Sequence, residues 1–225
     1  MKRHVRWYQV AGAAGLFLSI TSIPAAAQLR EMSHGPRVQI AAFGGYQWGG
    51  SFNTTASGAV PAGTLHINDA PNWGGILSFM ADPYTAVELW YLRQDNGIAF
   101  DRVSGLNTDL GGFATNYFQI GARQEFPTGL PLRPFLGGGL GITVFDPKAG
   151  GLGTSTRFSF SLGGGAQWMA GQAQRFGLRL DGRWWVTPVP SNDYGVWCDY
   201  WGCFVAQGTE WVNQGQVSLG LVVGF

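Results

Sequence analysis

The chain has 225 residues and a formal net charge of +1, and 14 basic against 13 acidic residues leave no cationic surplus of the kind that nucleic-acid binding needs. Charged residues make up 12% of it and Phe, Trp and Tyr 14%, about half the charge share of an ordinary soluble domain, which excludes a surface covered by water alone. Glycine, at 36 residues, has neither a collagen period nor the Ser and Gln bias of a disordered chain.

The chain opens with Lys2, Arg3 and Arg6, continues through an apolar run from about Val10 to Ile23, and then reads Pro24-Ala25-Ala26-Ala27-Gln28. A basic head, a short apolar middle and small residues before a cut form the pattern of a secretory signal, and the middle is too short for a spanning helix. Cleavage is expected after Ala27, leaving 225 − 27 = 198 residues with 14 − 3 = 11 basic against 13 acidic, a formal charge of −2.

Past residue 28 no apolar run reaches the length of a spanning helix, and a period of two takes over. It predicts eight strands, roughly 37 to 48, 73 to 81, 84 to 95, 115 to 126, 133 to 145, 157 to 170, 175 to 187 and 211 to 225. Of the eleven prolines only Pro134 falls inside one of these, at its second residue, where a missing ladder donor costs least. The connections alternate. Residues 82 to 83, 127 to 132 and 171 to 174 are short, whereas 49 to 72, 96 to 114, 146 to 156 and 188 to 210 are long. Short turns at one end and long loops at the other describe an outer-membrane barrel with both termini on the periplasmic side.

The strand faces agree. In the seventh strand Phe176, Leu178, Leu180, Trp184 and Val186 alternate with Arg175, Arg179, Asp181, Arg183 and Trp185; in the fourth, Phe118, Ile120 and Ala122 alternate with Gln119, Gly121, Arg123 and Glu125. An unpaired Arg facing lipid at the midplane costs about 2 to 4 kcal/mol, so the polar face points inward. Trp48, Trp73, Trp184 and Trp211 fall near loop ends and Phe79, Phe126, Trp168, Phe176 and Phe225 near turn ends, forming two aromatic girdles. Because backbone groups in lipid must all be paired, strands can cross only as a closed barrel. The expected fold is all-β, an eight-stranded antiparallel up-and-down transmembrane barrel over residues 37 to 225.

The last strand, with Val217, Leu219, Leu221 and Val223 alternating and Phe225 at its end, resembles the C-terminal signal that the assembly machinery of bacterial outer-membrane barrels reads. Pro134-Phe135-Leu136-Gly137-Gly138-Gly139-Leu140-Gly141 resembles the fifth-strand pattern of the OmpA/OmpX-like small barrels. This resemblance covers residues 37 to 225 and implies an outer-membrane location, residues 28 to 36 as a periplasmic segment, and a monomer. Outer-membrane lipid, lipopolysaccharide and, during biogenesis, the barrel-assembly machinery are the implied partners.

Eight strands enclose a lumen just wide enough to be filled by side chains. The inward set holds Glu88, Arg123, Glu125, Arg179, Asp181 and Arg183, with Gln39, Gln47, Gln119, Gln167, Gln214 and Gln216. A tight turn at 171 to 174 sets Arg179 opposite Gln167, Asp181 opposite Gly165 and Arg183 opposite Gly163. Such charges either pair and close the lumen or line a narrow ion path.

Gly137 to Gly141 lacks the Lys-Ser/Thr and the helix of a phosphate loop; its odd-numbered glycines read as space-makers on the lumen face. Small barrels that act on lipid A need a histidine near a serine, but after Ala27 only His34 and His66 occur, outside the predicted strands, and His66 with Asp69 reads as a solvated loop pair. Catalysis, cofactors and metal sites are therefore not expected. Cys198 and Cys203, spaced C-x4-C, suit a local disulfide in an exported protein; a metal site would need two more ligands. That ring would hold Trp197, Tyr200, Trp201 and Phe204 either as an outward contact surface or packed on the rim. The expected role is a non-catalytic envelope protein whose lumen is filled and whose four long loops meet a partner. The alternative is a narrow porin, or an OmpW-like path that passes hydrophobic molecules sideways into the bilayer.

Overall fold

The computed structural model describes residues 36–54, 63–102, 107–148, 154–171, 174–189, 197–199, 202–204 and 210–225. The expected signal at 1 to 27, residues 28 to 35, Tyr200 and Trp201 lie outside them. Twelve strands follow one another: β1 (Val38–Trp48), β2 (Ser51–Thr54), β3 (Gly63–Ile67), β4 (Ala70–Met80), β5 (Thr85–Arg102), β6 (Asn107–Glu125), β7 (Leu132–Pro147), β8 (Ser155–Ala170), β9 (Phe176–Val189), β10 (Trp197–Asp199), β11 (Gly202–Phe204) and β12 (Glu210–Gly224).

Eight of these form a closed antiparallel ring, β1-β4-β5-β6-β7-β8-β9-β12, with β12 returning to β1. The register fixes its shape. Stepping partner to partner from Val38 passes Phe79, Val87, Ala122, Gly138, Leu162, Trp184 and Gly215 and arrives back in β1 at Trp48. The displacement, 48 − 38 = 10 residues, is the stagger that tilted strands need in order to close.

Alternation sorts the side chains as the sequence predicts. Leu162, Leu221 and Phe176 are 70%, 66% and 65% exposed, and all nine girdle aromatics are exposed as well. Gln39, Gln47, Gln119, Gln167, Gln214, Gln216 and the six expected charged residues are all buried. Apolar outside and polar inside is the inverse of a soluble barrel, and a lipid solvent accounts for it.

Two expectations about the chain are corrected. The segment 96 to 114, read as a long loop, is mostly strand, because β5 and β6 continue their pairing to Asp101↔Asn107. Asn96-Gly97 and Gly111-Gly112 look like loop punctuation. Here a register shift at Ile98/Ala99 and a positive φ of 103° at Gly111 take up one extra residue as a bulge, and the hairpin runs on. Similarly, β2 and β3 form a hairpin within the segment 49 to 72, and β3 pairs with the upper part of β5.

The second correction concerns proline. Pro71, Pro147 and Pro188 also lie within strands. Pro71 pairs with β1 while the β4–β5 ladder begins only at Asn72, and Pro134 pairs with β8 while the β6–β7 ladder ends at Phe135. Pro188 pairs with β12, whereas the β8–β9 ladder stops at Phe160↔Val186. Each of these three has a full partner on one side only, so the absent N–H falls where a ladder stops.

Candidate functional site

The lumen is the part of the molecule where polar chemistry is concentrated, and strand parity puts it there. Near the turn end, Glu88 of β5 is gripped from two walls. Arg179 of β9, on the opposite side of the ring, donates from its two terminal nitrogens to Glu88 Oε1 at 2.6 Å and Oε2 at 3.2 Å. Arg123 of β6 brings its Nε within 2.8 Å of Oε1 as an ion pair. Ser78 Oγ and Trp90 Nε1 donate to the same carboxylate at 3.1 and 2.9 Å.

The network spreads from there. Arg123 also donates to Glu125 at 2.6 Å, Gln167 at 2.8 Å and Gln39 at 3.2 Å, while Gln167 donates to Gln39 at 3.1 Å. Asp181 accepts from Arg179 at 2.8 Å and stands 3.4 Å from Arg183 Nε, whose terminal nitrogen donates to Ser161 at 3.0 Å. Three carboxylates meet three guanidiniums among the buried residues, and the partly exposed Arg133 adds a further cation 3.3 Å from Glu125. Buried charges persist only under such pairing.

Sequence reasoning placed Trp185 on the inward face but did not single out Trp90 and Phe135, the other aromatic members of this set. The Arg183 guanidinium lies 3.9 Å from the centroid of the Trp90 ring and that of Arg179 4.5 Å from the centroid of Phe135. Cation–π contact adds to the ion pairs where water is excluded. Trp90 and Trp185 stand edge to face at 6.2 Å, and Trp185 Nε1 donates to Gln216 at 2.7 Å. Parity was the available signal: Trp90, Leu92 and Gln94 follow Glu88 at steps of two.

Toward the loop end a second, uncharged brace crosses the ring. Tyr117 of β6 donates its hydroxyl to Gln214 of β12, on the opposite wall, and Gln214 donates to Gln94 at 3.3 Å. Thr143 of β7 and Thr187 of β9 share a hydrogen bond of 3.0 Å over β8. The glycines expected to make room do so: Gly163 and Gly165 stand opposite Arg183 and Asp181, and Gln167 opposite Arg179.

Outside the barrel, β10 and β11 form a small hairpin in which Cys198 and Cys203 are direct partners, as are Trp197 and Phe204. One further reading is corrected. His66 lies in β3, directly opposite Ser51 of β2, so a strand does carry a histidine beside a serine. Asp69 accepts the Gly49 N–H at 3.0 Å, and Ser51 is exposed.

Compared by sequence with curated proteins, the chain has no match. Among solved structures it is similar to OprG of Pseudomonas aeruginosa (TM-score 0.57, 10% identity, covering 85% of this chain and 98% of that one). It is similar also to AlkL, solved by solid-state NMR in lipid bilayers (0.54, 14%, 87% and 93%), and to Neisserial surface protein A (0.53, 15%, 84% and 97%). At such identities the likeness is one of fold. The sequence model of the outer membrane protein beta-barrel domain matches residues 13–225. That match, the closed ring of eight strands and the apolar outer wall place the chain in the family of bacterial outer-membrane β-barrel proteins.

Proposed function

We propose that this protein is a non-catalytic envelope barrel whose lumen is closed to solute flow, and whose strand extensions and loops, held outward by a rigid wall, carry its contacts. Both termini are assigned to the periplasm, since the short turns and the chain ends share one end of the barrel. The observation that carries this reading is Glu88, which is joined to the opposite wall through Arg179 and to the neighbouring strand through Arg123. A solute path along the axis would have to break those ion pairs and then the Tyr117–Gln214 brace above them. The Ser51–His66 pair lies on the β2–β3 hairpin with Ser51 exposed, and positioning for catalysis needs more than cross-strand proximity.

Planar-bilayer recording tests the reading. The refolded wild-type chain is expected to show no steady conductance steps. Regular single-channel steps would sink the closed lumen, favour a narrow porin and turn Arg179 and Glu88 into its selectivity residues. The loop hairpin has its own test. Direct pairing of Cys198 with Cys203 suits a disulfide, so a maleimide reagent should label the exported protein only after reduction. Labelling of both thiols without reductant would rule the bridge out.

A further inference from the structure

At the loop end of the lumen the inward side chains turn apolar. Phe113 of β6, Phe145 of β7, Val212 of β12 and Ala70 of β4 lie two residues further toward the loops than Thr115, Thr143, Gln214 and Asn72, and all four are buried. Ile67, the last residue of β3, joins them. The rim side chains of an open mouth would be wet. Here Ile67, Phe113 and Val212 are no more exposed than Trp90, deep among the ion pairs.

Contacts follow one another round the mouth. Phe113 and Phe145 stack with ring centroids 5.6 Å apart. Two residues from Phe145, Thr143 reaches Thr187 over β8, and Thr187 is the direct partner of Val212. The next inward residue of β12 is Gln214, which shares Gly50 with Ile67: a Cβ built at Gly50 would stand 3.3 Å from Gln214 Cγ and 3.1 Å from Ile67 Cδ1. The circuit closes through Asn68, which follows Ile67 and donates its N–H to Gly97 at 3.0 Å, and through Asn96, the cross-strand partner of Phe113.

Two glycines set Ile67 in its place. Gly49 and Gly50 take φ of 84° and 105°, values that glycine alone adopts readily, and they break the line between β1 and β2. The break is pinned from several directions. Gly49 donates its N–H to Asp69 at 3.0 Å and accepts from Gln214 at 3.2 Å, and Ile67 donates its N–H to the Gly50 carbonyl at 2.8 Å. A side chain at Gly50 would press on Ile67.

We propose that Ile67, Phe113, Phe145 and Val212 form an apolar seal across the loop-end mouth, held there by the Gly49-Gly50 kink. It is a barrier separate from the Glu88 ion pairs, because an apolar constriction excludes water and ions by dewetting rather than by charge. The inference rests on the closed-lumen reading and adds to it. The barrel is shut at two levels of unlike chemistry, with the Tyr117–Gln214 brace between them.

Thiol labelling of the folded full barrel in detergent micelles tests the seal, with Cys198→Ser and Cys203→Ser present throughout. The reagent is a methanethiosulfonate carrying an ethylammonium group. Thr115→Cys puts a thiol two residues below Phe113, and Thr154→Cys, at an exposed position, is the open reference. With the seal intact, Thr115→Cys should react at least about a hundredfold more slowly than the reference, since access to a buried site waits on local opening. Adding Ile67→Ala should speed it at least about tenfold, because a truncated apolar side chain lowers the cost of that opening. Heat-dependent gel mobility shows which variants are folded, and Phe145→Ala, at another point of the circuit, carries the same expectation should Ile67→Ala not fold. Fast labelling of Thr115→Cys under the intact seal overturns the proposal, as does an unchanged slow rate after either truncation. Ser218→Cys, buried opposite Asp181, should stay unreactive in every background. Its labelling would count against the closure at the ion pairs and not against the seal.

Discussion

Glu88→Gln should cost this barrel about 3 to 5 kcal/mol, the range found when one partner of a buried ion pair is removed and the other is left uncompensated. The substitution keeps volume and one acceptor oxygen but removes the charge that Arg123 and Arg179 both face. Two carboxylates would then remain against three buried guanidiniums, one positive charge in excess with water excluded. Urea unfolding of the refolded protein in detergent reads the loss directly. The companion variant Glu88→Leu/Arg179→Leu removes both partners and should recover much of it, because a desolvated pair is worth far less than its breakage costs. A Glu88→Gln protein within about 1 kcal/mol of wild type would mean that the guanidiniums find another counter-charge or water.

Gly165→Ala should be the other costly change, and for a steric reason. A Cβ built at Gly165 overlaps the carbonyl oxygen of Leu180 and stands 3.0 Å from Asp181 Cα. Those atoms are backbone of the neighbouring strand, so relief means moving β8 away from β9 just where Asp181 and Arg183 are aimed. A loss of about 1 to 3 kcal/mol is expected, the usual range for overpacking. Gly182→Ala is the control. It lies on the outer face, where the atom a Cβ would meet is Gly164 O at 3.7 Å, and it should unfold like wild type. If the two variants behave alike, inward glycines are not what sets the distance between these walls.

Much of the site was legible because lipid leaves a strand few choices. Once Leu178 and Leu180 are assigned to the outside, Arg179, Asp181 and Arg183 have only the lumen, and burial of all three follows. The same parity put Glu88 and Arg123 inside. The contact of Glu88 with Arg179 was not legible, because which residues meet across the lumen depends on the ten-residue stagger, a property of all eight ladders together. Trp90 shows a further limit. An aromatic residue in a barrel strand suggests a girdle, yet here the ring serves as a flat wall for a guanidinium. Loop chemistry was the least readable. Asn96-Gly97 has the composition of a turn, but the bulge at Gly111 keeps two strands paired past it.

Seven of the eight seams in the wall join strands that follow one another around the ring in chain order, with at most a loop hairpin between them. The eighth joins the two ends. Arg37 and Val38 donate to the Phe225 carbonyl oxygen at 2.9 and 3.4 Å, and Phe225 N–H donates to Val38 at 2.8 Å. Until that seam forms, β1 and β12 each present a row of unsatisfied donors and acceptors, which hydrocarbon does not tolerate. A half-built wall is therefore not a resting state in the bilayer. Insertion and closure have to be one event, and whatever escorts the chain must cover those two raw edges until Val38 reaches Phe225.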